Sequence, residues 1–172
     1  MFDENILELA SSLVRCATEG GVTVGCAESC TGGLVSAAIT AVPGSSVPMR
    51  GGVVSYAIPV KHEVLGVDDA ILDEPSLGAV SAECASQMAI GARGVLGCDV
   101  AVSVTGIAGP GGAEPGKPVG TVWFGLSTPL GTRAKLCLFE GDRNEVRRQA
   151  VMEALGLLRE GTMEFIGSKF DS

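Results

Sequence analysis

The chain is poor in histidine, the residue enzymes most often use for proton transfer and a common metal ligand. It has one histidine, His62, along with one tryptophan and one tyrosine, and aromatics make up only 4% of 172 residues. A Ser-His-Asp or Cys-His site therefore has a single position for its base, and no histidine pair is available to a zinc ion. The six cysteines, at 16, 26, 30, 84, 98 and 137, form no C-x-x-C pair, so neither a redox motif nor a metal site is expected, and no cofactor is implied. Scattered cysteines of this kind suit small core residues in a reducing cytoplasm, the compartment expected here. No apolar run approaches the about 20 residues that cross a bilayer. The N-terminus also lacks a basic region followed by an apolar run, so no signal peptide is expected. Positive charge is scarce as well: 12 Lys and Arg against 20 Asp and Glu leave a net charge of −8. That balance, with no cationic cluster before the last helix, argues against a duplex DNA or RNA partner. A single nucleotide needs only a local positive potential and stays open.

What the chain does have is aliphatic bulk and 25 glycines in a 46% hydrophobic composition. With no repeat or low-complexity period, the glycines imply tight turns between strands and helices. Residues 1–172 are most simply one domain, long enough to bury roughly 70% of the unfolded surface. Asn5 to Thr18 has the apolar spacing of an amphipathic helix, and 22–27 reads as a buried strand leading to a helix at 32–42. A strand at 51–57, a short helix from Pro59 to Leu65 closed by Gly66, and another helix at 68–77 follow. Ser81 caps a helix at 82–96, and a buried strand runs from Asp99 to Thr105. Residues 106–118 hold five glycines and three prolines and must be a long loop. Val119–Ser127 and Arg133–Phe139 then read as an antiparallel hairpin, and Asp142 with Glu145 opens a long last helix to about Phe165. The order gives an α/β fold, a single three-layer α/β/α domain around a mixed sheet.

Two features carry chemistry. Ala27-Glu28-Ser29-Cys30-Thr31-Gly32-Gly33 lies where a strand turns into a helix, with Ser29 or Thr31 at the N-cap position. Such a turn leaves backbone N–H groups free for a phosphate or a developing oxyanion, and presents a hydroxyl. A capped helix with two tolerated glycines fits the same pattern. The other feature is Lys61, the only lysine before Lys117. Burial can lower a lysine from about 10.4 toward 7–8 and make it a general base. Beside His62 and Glu63, an ordinary solvated lysine is the competing expectation. Ser45 and Ser46 are rival hydroxyls after Pro43-Gly44, first read as turn or phosphate-contact residues. Cys30 is a rival nucleophile without a histidine base.

Six ordered motifs place these features in a known family. They are Ala27–Gly33, Pro43-Gly44-Ser45-Ser46, Gly78-Ala79-Val80-Ser81, Gly106-Ile107-Ala108-Gly109-Pro110-Gly111-Gly112, Lys117–Val122 and Gly141-Asp142-Arg143. Together they resemble the CinA C-terminal domain family, the nicotinamide mononucleotide deamidases, over nearly the whole chain. The resemblance is to the stand-alone form, without the molybdopterin-binding-like domain of full-length CinA proteins. It implies metal-independent hydrolysis of the nucleotide carboxamide by a serine–lysine dyad, which falls on Ser29 and Lys61. Tyr56 is then a candidate to orient the lysine or stack on the pyridine ring, and an ordinary half-buried strand tyrosine is the alternative. Candidate substrate contacts are Glu28, Thr31, Gly32, Gly33, Ser46, Thr105, Gly106, Gly109 and Arg143. The phosphate is expected at the 31–33 turn or the 106–112 loop, in a cleft that a second subunit of a homodimer can complete. Two departures stand out. Where family members often have Tyr-x-Asn-x-x-Lys, this chain has Tyr56-Ala57-Ile58-Pro59-Val60-Lys61, and Pro48-Met49 replaces an aromatic pair. They motivate an alternative, a catalytically silent nucleotide-binding module of the same fold.

Overall fold

The computed structural model describes residues 2–170. Asp3 opens α1 (Glu4–Glu19), its carboxylate accepting the Ile6 N–H at 3.0 Å. β1 (Val24–Glu28) is buried along its whole length, as its uninterrupted apolar run dictates. α2 (Leu34–Thr40), β2 (Met49–Val54) and α3 (Ile58–Leu65) follow, with Pro59 in the first turn of α3 and Gly66 ending it in the left-handed conformation. α4 (Asp69–Leu72) is short, and α5 (Ala82–Leu96) begins at Ser81, whose Oγ accepts the Cys84 N–H. β3 (Val100–Gly106), β4 (Thr121–Thr128), β5 (Gly131–Leu138) and α6 (Arg143–Ser168) complete the order.

The strands form one mixed sheet in the order β2-β1-β3-β4-β5. β1 is parallel to both β2 and β3, while β4 and β5 close the sheet as an antiparallel hairpin. One face carries Val24, Cys26, Val102 and Phe124 against α1, α2 and α6, with Leu13, Ile39, Leu155 and Leu158 filling the layer. The other carries Ala27 and Ala101 against α3 and α5 through Leu65, Met88 and Ala92. Small residues bring this second layer close. A side chain at Gly125 would collide with the backbone of Ala85 on α5, so only glycine fits.

Three expectations need correction. The helix at 68–77 ends at Leu72, because Pro75 restricts Glu74 to extended backbone and cannot donate into a helical ladder. The strand at 51–57 lies instead at Met49–Val54, and Ala57 is already the N-cap of α3. Neither Ser29 nor Thr31 caps α2; its N-cap is Gly33, at φ 98°, a conformation that strains any side chain.

The parallel trio decides where chemistry can occur. Glu28 pairs with Val54 and Val104, so β1, β2 and β3 all end at one edge of the sheet. β1 lies between the strands that follow it in sequence, so successive connections leave in opposite directions and open a crevice beyond the strand ends.

Candidate active site

Ser29 is the first residue past β1, held by its N–H to the Val104 carbonyl of β3 at 2.9 Å. Across the crevice, the first turn of α3 carries Lys61, whose side chain is directed inward and is 1% exposed. Its Nζ lies 3.0 Å from Ser29 Oγ, 2.5 Å from the Ser55 carbonyl and 3.4 Å from the Tyr56 carbonyl. The solvated lysine expectation therefore fails. Burial lowers the Lys61 pKa, and the neighbouring Cys84 and Cys30 thiols oppose that only in part. An ammonium donates to all three oxygens, whereas a neutral amine gives two N–H groups to the carbonyls and has one lone pair left for Ser29 Oγ. Cys30, by contrast, is pushed up to about 11 by burial, which keeps it a protonated thiol and a poor nucleophile.

Glu28 is not available to a substrate. It is fully buried, and its carboxylate accepts from Gly33 N–H (2.9 Å), Val35 N–H (3.0 Å), Ser36 N–H (2.8 Å), Ser36 Oγ (2.7 Å) and the Cys26 thiol (3.6 Å). The carboxylate of the preceding strand thus caps α2 and takes up donors that the turn was expected to offer a ligand. The Gly32 N–H is also committed, to the Ser29 carbonyl, and that of Leu34 to Thr31. Among the described residues, only the N–H groups of Cys30 and Thr31 in this turn have no partner.

The other candidates divide. Arg143, the first residue of α6, donates to the Gly109 carbonyl at 2.8 Å and lies 3.4 Å from the Tyr56 hydroxyl. Tyr56, Gly109 and Arg143 thereby meet at the edge of the crevice. Tyr56 is 62% exposed rather than half buried, and its carbonyl, not its phenol, faces Lys61. Thr105 is buried at the end of β3 and donates to the Ala79 carbonyl at 2.6 Å. Gly106 ends the same strand against Thr121 and Val122, where a side chain has no room. Thr31 is fully buried with its hydroxyl unpartnered, as is that of Ser55. Ser46 is not brought to the site: it precedes β2, whose Met49 end pairs with Val24 at the opposite edge of the sheet. Among the described residues, no group of three or more His, Cys, Asp or Glu is placed to hold a metal ion.

Arg147 escaped the sequence reading. Its Nε donates to the Cys30 carbonyl and its Nη2 to the Thr31 carbonyl, both at 3.1 Å. The signal for it was the four-residue spacing from Arg143, which puts both arginines on one face of α6.

Known proteins share this architecture. A family model described as the CinA C-terminal domain matches residues 6–162. The chain is 45% identical over 157 residues to a nicotinamide-nucleotide amidohydrolase PncC of Enterobacter agglomerans, covering 90% of this chain and 94% of that protein. It is 47% identical over 156 residues to a CinA-like protein of Geotalea uraniireducens, covering 91% of this chain but only 36% of that longer relative. Among solved structures, a competence-damaged protein (CinA) superfamily protein from Klebsiella pneumoniae 700603 superposes with a TM-score of 0.87 at 35% identity, covering 94% of this chain and 99% of that one. The competence/damage inducible protein CihA from Agrobacterium tumefaciens gives 0.87 at 39% identity, covering 92% and 96%.

Proposed function

The chain belongs to the CinA C-terminal domain family, and on that premise we propose that residues 1–172 form one metal-independent amidohydrolase domain that converts nicotinamide mononucleotide to nicotinic acid mononucleotide and ammonia. The observation that carries this is the 3.0 Å contact between a buried Lys61 amine and Ser29 Oγ. The neutral amine takes the serine proton as Oγ attacks the carboxamide carbon. The unpartnered N–H groups of Cys30 and Thr31 are the backbone donors for the oxyanion, each typically worth about 2.7–4 kcal/mol. The resulting ammonium returns its proton to the leaving nitrogen, so ammonia departs and a serine ester remains. Water, deprotonated by the same amine, then releases the acid.

Because Glu28 takes most of the donors at the start of α2, the phosphate is assigned to the 106–112 loop and Arg143. Binding energy from that remote group helps position the reacting carbon. Ammonia release from nicotinamide mononucleotide by the purified protein tests the activity, and its absence overturns it. Free nicotinamide is expected to be much the poorer substrate, and equal kcat/KM for the two would refute the placement.

A second reading rests on the departure at Ile58-Pro59. Ile58 is 49% exposed at the start of α3, where an amide would have faced solvent. A silent nucleotide-binding module predicts tight mononucleotide binding by calorimetry with no ammonia. Six free cysteines and the absence, among the described residues, of any helix long and apolar enough to cross a membrane support placing the protein in the cytoplasm.

A further inference from the structure

Three peptide units follow Ser29, and each carbonyl in them is held. Gly32 N–H donates to the Ser29 carbonyl at 3.1 Å, Arg147 Nε to the Cys30 carbonyl and Arg147 Nη2 to the Thr31 carbonyl. A peptide unit is planar and trans, so fixing a carbonyl fixes the N–H of the next residue on the opposite side. The Cys30 carbonyl therefore sets the Thr31 N–H. The Thr31 carbonyl sets the Gly32 N–H, which holds the Ser29 carbonyl, which sets the Cys30 N–H. Both unpartnered donors of the turn trace back to one guanidinium.

We propose that Arg147 is a positioning residue that holds the nucleophile's turn with its Cys30 and Thr31 N–H groups aimed for the oxyanion. This rests on the serine-nucleophile reading above and adds the residue that sets its geometry. Among the described residues, Arg147 has no carboxylate in its bonds and donates to backbone carbonyls alone. Its planar fork suits two successive carbonyls, which a single ammonium cannot span in the same way. A cation on each carbonyl also polarises the peptide and strengthens the N–H at its other end. Gly32, at φ 61°, also lies beside the guanidinium: a Cβ there would come 3.7 Å from Nη2.

The test uses the full chain and two readouts. A fluorophosphonate labels an activated serine through a tetrahedral oxygen that needs the same donors, whatever the natural substrate. Labelling of Ser29 is expected to fall about 100-fold in Arg147→Ala, in the range for loss of one oxyanion donor, and to return only in part in Arg147→Lys. On nicotinamide mononucleotide, kcat is expected to fall by a similar factor with KM little changed. The pH at which the rate rises should not move, since Lys61 is untouched. Circular dichroism and melting temperature confirm that the variants are folded. Wild-type labelling rates in folded Arg147→Ala overturn the proposal, and so does a wild type whose Ser29 is never labelled. Labelling that depends on Arg147 without any ammonia release upholds it while refuting the substrate assignment.

Discussion

Lys61 sits among the Ser29 hydroxyl and two main-chain carbonyls with almost no access to water, and on the proposed mechanism its protonation state sets the rate as well as contributing to stability. The amine must be neutral to accept the serine proton, so kcat/KM should rise with pH through a value below the ordinary lysine value of 10.5. A profile flat across that range would count against a lysine base. Stability follows with the same sign. Between the lowered folded value and 10.5 the unfolded chain binds more protons than the native one, so stability grows as pH rises and is lost as pH falls through the folded value. Lys61→Met keeps much of the apolar stem and should abolish turnover while flattening that slope, as denaturant melts at several pH values would show. Ser29→Ala and Lys61→Ala should each lower kcat by about 10⁴-fold or more. The double variant should be no worse than the poorer single one, and additive losses would separate the two residues into independent roles. Both residues stood out in the sequence, Ser29 at a strand-to-helix turn and Lys61 as an isolated lysine, but their pairing came from the family resemblance, since a sequence does not show burial. Arg147 did not stand out, since its bonds are to carbonyls, and a sequence shows no carbonyl's direction.

At the level of elements, the start of α2 is defined by a residue outside it. Glu28 supplies through its side chain what Ser, Thr or Asp at an N-cap would supply, and leaves the cap itself to a glycine. Glu28→Gln places an amide among donors and should cost about 2–4 kcal/mol, lowering the melting temperature by roughly 5–15 °C. A change under about 1 °C would mean that the turn is held without it. Helices with full apolar periodicity and their own caps were readable, such as α1 behind Asp3 and α5 behind Ser81. Boundaries failed where a neighbour intervened. Pro75 cut α4 short, and a carboxylate reaching forward from β1 displaced the expected cap on α2.

For the whole molecule, the mixed sheet between helical layers was legible from the alternation of strand and helix, whereas strand order was not, because parallel pairing leaves no local signal. β5 is an edge strand whose two faces differ. Arg133 and Lys135 pair with Glu160, Glu164 and Glu153 of α6, while Leu136 and Leu138 on the opposite face stay 50% and 64% exposed. A homodimer that covers this edge is expected, with light scattering reporting twice the chain mass and Leu138→Lys shifting it to monomer. A monomeric wild type would remove that expectation. Activity should survive EDTA unchanged, and loss that zinc or magnesium restores would demand a metal that the mechanism does not use.

The bonds from Arg147 to Cys30 and Thr31 span 117 and 116 residues of chain. Ser29 lies far upstream of Arg147, so during synthesis the serine hydroxyl is made well before the guanidinium that would steady it. Contacts of such long range form late, after helices and nearby strand pairs have settled. In refolding, the return of Ser29 reactivity should therefore lag behind the recovery of helical ellipticity, and simultaneous recovery would count against a late Arg147 contact. On the proposed mechanism, Ser29 becomes reactive only once α6 has docked on its turn, so a partly folded chain carries the serine without the chemistry.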